Sequence, residues 1–182
     1  MPYTIEEHRH RFAAWAAGIA VSRGTGVSVE LSQRLLKECV FNHAHTDFPS
    51  RATLKILPDP GDFDSTHREW RNQIISNSRI QITHGIAAKM INVYLKALFV
   101  CGGHHDDPRV KAIHPPIDRL LLTELSKIEF FREDEEWNEL RTKSWTKFDS
   151  EAYEKVIGVI KRYIKYPQEP LWKIEEHWQG HQ

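Results

Sequence analysis

Cysteine is scarce in this chain, and its two cysteines, Cys39 and Cys101, lie far apart. Two isolated thiols cannot form the disulfide framework of a small secreted domain, and no CxxC pair offers a metal site. Both stand among apolar residues, which is typical of buried thiols in a reducing compartment. Without a four-cysteine cluster an iron–sulfur cluster is excluded, and we expect no cofactor.

Long apolar runs and an excess of charge of one sign are also missing. The sequence has no run of about eighteen apolar residues, which a membrane span would require. Its polar start after Met1 does not resemble a signal peptide. The formal net charge is +0, so the chain has no general attraction to nucleic acid or to a membrane surface. We therefore expect a cytoplasmic protein with no membrane partner, and the sequence leaves its oligomeric state open.

What is present is enough for one folded domain. The chain has 182 residues, of which 40% are hydrophobic, and it contains six tryptophans and eight phenylalanines. This length can bury a sizeable core. The charge is uneven, because residues 68–119 carry eight lysines and arginines against four acids, and an acidic stretch follows at 124–139. A basic face is one interpretation, and a mixed solvated surface is the other.

Helical periodicity dominates the chain and predicts an all-α fold, a single domain over residues 1–182 with about seven or eight helices. Possible subregions are the N-terminal helices (1–61), a central core (62–130) and the C-terminal helices (131–182). The predicted helices cover residues 5–23, 29–41, 64 or 65–77, 85–100, 116 or 117–126, 132–145 and 150–164, with a last short helix after Pro170.

Local signals refine these helices. Gly24 to Gly26 ends the first helix. Side chains that can accept hydrogen bonds from a first helical turn precede three others, and they are Ser28, Asp64 or Ser65, and Asp149 or Ser150. The spacing of large apolar residues predicts that the first helix turns one face inward, formed by Phe12, Trp15, Ala16, Ile19 and Ala20.

The helix at 85–100 is apolar on every side except one stripe. Lys89, Asn92 and Lys96 form that stripe, at positions i, i+3 and i+7. A helix that is hydrophobic elsewhere is buried, so the stripe must face a cleft, a loop or a partner. Alternatively, the two lysines extend along the apolar surface and place their ammonium groups in water.

Asp118 lies near the start of the next helix, after Pro115 and Pro116. It can be an ordinary first-turn acid that complements the helix dipole. It can also be a carboxylate kept ionised by that dipole and aimed at developing positive charge.

Two segments resemble a known family. The first, from Gly85 to Leu95, and the second, Pro116-Ile117-Asp118-Arg119, resemble the hairpin-to-helix motif and the following helix start of the helix-hairpin-helix base-excision DNA glycosylases, the endonuclease III superfamily. Ala87 stands where that family has its second hairpin glycine. The resemblance implies that Asp118 stabilises the oxocarbenium ion and activates the nucleophile, and that Lys89 holds the position of the Schiff-base lysine.

The same resemblance implies a function and a set of contacts. The chain would remove a damaged or modified base from DNA and leave an abasic site; a modified cytosine in phage DNA, and hence phage defence, is one example. Two groups of residues follow as expectations, with no metal among them. DNA contacts are expected at Gly85, Ala87, Ala88, Asn92 and Arg119. Walls of the pocket for the extruded base are expected at His114, Tyr94 and Trp70.

Other readings stay open. The histidine-rich segments His43 to Asp47 and His104 to Asp107 have N/O side chains that suit a metal. The pair His105-Asp106 resembles that of the HD-type phosphohydrolases. An Arg-x4-His pattern, as in HEPN-type ribonucleases, occurs at Arg79 to His84 and at Arg109 to His114. A helical module that binds a partner protein through its tryptophans needs none of these sites.

Overall fold

The computed structural model describes residues 3–40 and 54–180, and these residues form helices and connecting turns without a strand. The prediction of an all-α fold is therefore confirmed. The α-helices of the described ranges are α1 (Ile5–Ser22), α2 (Val29–Leu35), α3 (Phe63–Asn77), α4 (His84–Leu95), α5 (Pro108–Lys111), α6 (Arg119–Leu125), α7 (Glu129–Glu133), α8 (Glu135–Leu140) and α9 (Ser150–Ile164).

Shorter helical turns extend or connect these helices. Two are π-helical and continue a preceding α-helix, at Leu36–Val40 after α2 and at Lys96–His104 after α4. Four are 3₁₀ turns, at Leu54–Ile56, Pro60–Asp62, Trp145–Lys147 and Leu171–His177. The described helices thus exceed the seven or eight that the sequence predicts, mainly because some predicted segments are divided.

One division lies in the segment 132–145, which the sequence predicts as a single helix. Asp134 adopts an extended backbone conformation and ends α7 at Glu133. Its side chain accepts a hydrogen bond from the backbone N–H of Trp137 across 2.9 Å and so begins α8. A good N-cap residue inside an apolar pattern therefore starts a new helix.

Two predicted caps are confirmed and one is wrong. The Ser28 hydroxyl accepts from the N–H of Leu31 at the start of α2, and Asp149 accepts from Ala152 at the start of α9. The helix α3 begins two residues earlier than expected, at Phe63. Asp64 is therefore inside the helix, where its carboxylate pairs with other side chains.

The prediction of which face of α1 is buried is wrong. Phe12 and Trp15 are 56% and 49% exposed, while the buried face consists of small residues: Ala13, Ala14, Ala17, Gly18 and Val21. Small side chains let α1 approach α2 closely, since a Cβ on Gly18 would lie 2.9 Å from Cγ1 of Val29. Close helix contact outweighs the burial of the larger side chains here.

The helix α4 is at the centre of the fold. It packs against α1, α3 and α9 and against the turn Trp145–Lys147. Two successive residues of α4, Ala87 and Ala88, belong to two different clusters of buried side chains. One cluster is formed mainly by α1 to α4, and the other by α6 to α9 and the last turn. The start of α4 is thus fixed from both sides.

Among the described residues, one helix is long and apolar enough to cross a membrane. It is the continuous segment His84–His104, with a mean hydropathy of 1.3 over its most apolar window, and 67% of that window is buried in the protein. A buried core helix meets the same criterion, so the finding is weak evidence for a span.

Candidate active site

The polar stripe of α4 is divided between two environments. Lys89 and Lys96 both line one cleft. Asn92 is fully buried, and its amide bonds to His67, Tyr153 and the backbone carbonyl of Pro115. The expectation that the stripe faces a cleft is thus met by the two lysines, while Asn92 bonds inside the core.

Asp118 is the N-cap of α6, one position before the first turn where the sequence placed it. Its Oδ1 accepts from the backbone N–H of Leu121 across 3.0 Å. Its Oδ2 lies 3.4 Å from Nζ of Lys89 and 3.2 Å from Nε1 of Trp178, whose indole N–H donates to it. The cap fixes the carboxylate, and its second oxygen faces the cleft.

Lys89 is held in a largely dry position. Its side chain is 12% exposed, and its ammonium lies 4.5 Å from the centre of the Trp145 ring. Burial lowers the pKa of the Lys89 ammonium below its ordinary value, and the nearby carboxylate of Asp118 opposes part of that change. A larger fraction of this side chain is therefore neutral amine than for an exposed lysine at the same pH.

The cleft encloses about 530 Å³, a size typical of sites for small ligands or single nucleotide units. Apolar and aromatic side chains form most of its walls, and its charged groups come from Arg23, Lys89, Lys96, Asp118 and Glu175. Its lining includes Ile19, Ala20, Arg23, Val93, Ala97, Cys101, Pro116, Leu120, Trp145 and Trp178. The combination of tryptophan walls with few convergent charges is typical of a binding site.

A second pair of charges lies in the same cleft. Nζ of Lys96 contacts Oε2 of Glu175 and lies 5.9 Å from the centre of the Trp178 ring. Burial raises the pKa of the Glu175 carboxyl, and Lys96 opposes that change. Trp178 thus lies between the Lys89–Asp118 pair and the Lys96–Glu175 pair.

A basic groove adjoins this cleft, and Trp145 lines both. The groove encloses about 500 Å³, and its charged lining residues are all cationic: Arg119, Arg141 and Lys143. Thr142 and Ser144 add hydroxyl groups. Arg119 is exposed, as a DNA contact requires.

The structure places the other predicted DNA contacts of α4, including Asn92, in the protein interior. Gly85, Ala87 and Ala88 are buried. The backbone N–H of Gly85 donates to the carbonyl of Phe148 across 3.1 Å, and a Cβ on Gly85 would lie 1.9 Å from the carbonyl oxygen of Trp145. The glycine therefore accommodates the turn Trp145–Lys147, which covers the position where a DNA contact was expected.

The structure also places the three residues of the predicted base pocket away from the cleft. Trp70, Tyr94 and His114 are buried, and none of them lines the cleft. Trp70 packs edge-on against Phe63, and the hydroxyl of Tyr94 is hydrogen-bonded to Nδ1 of His10 across 2.8 Å. These side chains belong to the core, where aromatic residues with a polar group find a partner.

The side chains of the cleft that were not predicted include Trp145, Glu175 and Trp178. These three lie more than 50 residues after Lys89, in or just after 3₁₀ turns. No periodic pattern connects a 3₁₀ turn with a distant helix, so the sequence offers no local signal for their position.

The alternative sites find little support in the described ranges. His105 and Asp106 lie on an exposed turn, 51% and 89% exposed. No group of three or more histidine, cysteine, aspartate or glutamate side chains in residues 3–40 and 54–180 is arranged to hold a metal ion. The other histidine-rich segment, His43 to Asp47, lies outside the described residues.

Neither Arg-x4-His pattern brings its arginine and histidine together. Arg79 is exposed, while His84 begins α4 and lies 3.4 Å from Arg71. In the second pattern, Arg109 pairs with Asp107, and the buried His114 bonds to Asp64.

Comparison with protein-family models, curated proteins and solved structures gave no match for this chain. Its function must therefore be argued from the site itself.

Proposed function

We propose that this protein is a DNA glycosylase that cleaves the N-glycosidic bond of a damaged or modified base. The observation that carries the proposal is the pairing of Lys89 and Asp118 at 3.4 Å inside a cleft with tryptophan walls. A partly buried amine beside a fixed carboxylate supplies a nucleophile and an anion at one point.

The two groups suit the charge changes of the reaction. Breaking the bond between the base and C1′ leaves positive charge on the sugar, and the carboxylate of Asp118 stabilises that charge. The bonding pair leaves with the base, which takes up a proton from water, and the neutral amine of Lys89 then forms a bond to C1′ with its lone pair. The C1′–O4′ bond then breaks, its electron pair and the proton lost by the amine go to O4′, and a protonated imine joins C1′ to Nζ of Lys89.

The walls of the cleft suit an extruded base. An enzyme that acts on a base in DNA takes that base out of the stack and holds it between aromatic or apolar side chains. Trp145 and Trp178 lie beside Lys89 and Asp118 respectively. They replace the walls that the sequence predicted at Trp70, Tyr94 and His114.

The adjoining basic groove supports nucleic acid as the substrate. Arg119 follows Asp118 directly in the chain, and Arg141 and Lys143 line the same groove. Phosphate groups favour such side chains, and their contacts position a strand without reading its sequence. A strand in this groove would present its extruded nucleotide across Trp145.

Base release tests the proposal directly. Wild-type protein and Asp118→Asn are incubated with DNA that carries uracil, oxidised, alkylated or modified-cytosine bases, including phage genomic DNA. Asparagine also caps helices well, so the variant keeps the start of α6. We expect freed base by mass spectrometry and alkali-sensitive sites with the wild type, and a loss of at least about 100-fold with Asp118→Asn.

The matched control is Asp106→Asn, which changes an aspartate on an exposed turn outside the cleft. It should release base at the wild-type rate. If wild-type protein releases no base from any of these substrates while remaining folded, the glycosylase proposal is wrong.

A further inference from the structure

The Lys96–Glu175 pair has no role in the chemistry proposed for Lys89 and Asp118. It nevertheless lies in the same cleft, and its acidic member is 15% exposed. Burying a carboxylate is costly unless it is paired. Nζ of Lys96 pairs with Oε2 of Glu175, while Oε1 of Glu175 has no hydrogen-bond partner among the described residues. A partly buried ion pair, whose lysine side chain is 33% exposed and whose carboxylate has an open acceptor oxygen, is suited to binding a polar ligand.

The spacing along α4 matches one nucleotide unit. Lys96 follows Lys89 by seven residues, which corresponds to about 10 Å of helix. A nucleoside with its sugar carbon at Lys89 would point the far edge of its base toward Lys96 and Glu175. Trp178, which bonds to Asp118 and lies beside Lys96, would cover the base between these two points.

The order of hydrogen-bonding groups selects among bases. Along the pair, the ammonium of Lys96 is a hydrogen-bond donor, and the two carboxylate oxygens of Glu175 that lie next to it are acceptors. A guanine edge presents the complement, because its O6 accepts while its N1–H and N2–H donate. Uracil places its O2 carbonyl against one carboxylate oxygen, and cytosine places both N3 and O2 against the acidic side. In this register each of these edges leaves acceptors facing acceptors. Cytosine in another register, like adenine, offers a ring nitrogen to the ammonium and only one amino N–H to Glu175, which is one hydrogen bond fewer than guanine forms.

We infer that Lys96 and Glu175 form a specificity pair that binds a base with a guanine-type edge, meaning a carbonyl acceptor followed by two N–H donors. The inference rests on the proposed function, because it assumes that the cleft receives a nucleobase. It narrows the substrate class to guanine derivatives that retain this edge, whatever modification they carry elsewhere on the ring.

Binding of free nucleosides tests the inference without requiring catalysis. The indole N–H resonance of Trp178, assigned with Trp178→Phe, is followed by ¹⁵N NMR during titration with guanosine, inosine or uridine. Inosine lacks only the 2-amino group, so it loses one of the two bonds to Glu175. We expect guanosine to bind about 10-fold more tightly than inosine, which corresponds to about 1.4 kcal/mol, and uridine to bind more weakly still.

Two variants locate the preference. Glu175→Gln replaces an acceptor oxygen by an N–H donor and should abolish the preference for guanosine over inosine. Glu176→Gln changes the neighbouring glutamate, which is 68% exposed and does not line the cleft, and should leave the preference unchanged. Equal affinity for guanosine and inosine in the wild type, or an unchanged preference in Glu175→Gln, would overturn the inference.

A separate experiment tests the proposed function. Borohydride trapping of wild-type protein on abasic DNA involves no base and so does not depend on the specificity pair. Base release and trapping without guanosine preference retain the glycosylase proposal and reject the specificity pair. Guanosine preference without trapping or base release retains a guanine-binding cleft and rejects the glycosylase.

Discussion

The side-chain amide of Asn92 donates a hydrogen bond to the hydroxyl of Tyr153 across 2.9 Å in the protein interior, and so connects α4 with α9. Its second N–H donates to the carbonyl of Pro115, which leaves Oδ1 to accept from Nε2 of His67. The Tyr153 hydroxyl then donates to Nδ1 of His114 across 3.1 Å. One buried amide thus fixes two helices and the segment that leads to Asp118.

Removal of this amide should be strongly destabilising. Asn92→Ala leaves a buried carbonyl, a hydroxyl and an imidazole N–H without their partner, and each lost partner costs about 1–3 kcal/mol before relaxation. We expect a total loss of about 3 kcal/mol in the free energy of unfolding, measured by urea denaturation. The control Asn138→Ala removes one amide bond at the surface and should cost less than about 1 kcal/mol. Equal losses for the two variants would contradict the role of the network.

Acid should weaken the same network. Burial lowers the pKa of His67 well below its ordinary value of 6.5, and burial also lowers the pKa of His114, where Asp64 opposes the change. Between the lowered pKa values in the native protein and the ordinary value of 6.5, the unfolded chain binds more protons than the native protein. The stabilisation is therefore complete above about pH 6.5 and is lost as the pH falls below that value. Each histidine contributes a slope of up to about 1.4 kcal/mol per pH unit.

The measurement is urea denaturation at a series of pH values from neutral to mildly acidic. His10 and His84 also have lowered pKa values through burial and contribute to the total slope. His67→Gln should therefore reduce the slope by the share of one histidine and not abolish it. His105→Asn, on the exposed turn, is the control. A slope in His67→Gln equal to that of the wild type would contradict the prediction.

The sequence predicts the helical class well because apolar periodicity and capping side chains are local signals. Ser28 and Asp149 begin their helices as expected, and the first helix covers nearly the predicted residues. The inward face of α1 was predicted wrongly, because hydrophobicity favours Phe12 and Trp15, whereas close packing against α2 and α4 favours Ala13, Ala17 and Gly18. Which of two apolar faces is buried depends on the partner helix.

This difference can be tested on α1. Phe12→Ser lies on the exposed face and should change the free energy of unfolding by no more than about 0.5 kcal/mol. Ala17→Leu inserts a large side chain where the native residue is fully buried and should cost about 1–3 kcal/mol. Thermal and urea denaturation of both variants provide the comparison. A larger loss for Phe12→Ser than for Ala17→Leu would support the face predicted from the sequence.

The candidate site was only partly predictable. Lys89 and Asp118 follow from their positions at two helix starts, and the structure brings these side chains together. Trp145, Glu175 and Trp178 come from turns whose positions are fixed by tertiary packing. The resemblance implied a DNA contact at Gly85, but the group that approaches this glycine is the carbonyl of Trp145.

Gly85 should therefore tolerate no side chain. In Gly85→Ala the new Cβ would meet a backbone oxygen at 1.9 Å, so the turn Trp145–Lys147 must move. We expect a loss of about 2–3 kcal/mol in the free energy of unfolding. Gly61→Ala is the matched control, since its Cβ would meet nothing within 4 Å, and it should change stability by less than about 1 kcal/mol. Similar stability of the two variants would mean that the turn does not cover the start of α4.

The lowered pKa of Lys89 predicts how its reactivity depends on pH. Only the neutral amine attacks C1′, so formation of the imine should accelerate as the pH rises, with a midpoint below the ordinary lysine value of 10.5. Borohydride trapping on abasic DNA, followed as a function of pH, measures this rate. Lys89→Ala should abolish the trapped complex. The cap that Asp118 provides to Leu121 does not involve the lysine, so the variant should remain folded.

Two controls define the outcome for Lys89. Lys127→Ala removes a lysine that is 64% exposed and pairs only with Glu124, and it should be trapped like the wild type. Lys89→Arg keeps the positive charge beside Asp118 and Trp145 but offers no amine, so it should bind abasic DNA without being trapped. Trapping that persists in Lys89→Ala would assign the imine to another amine. Base release by wild-type protein without any trapping would make water the nucleophile, and the role of Lys89 would then be to position the carboxylate of Asp118.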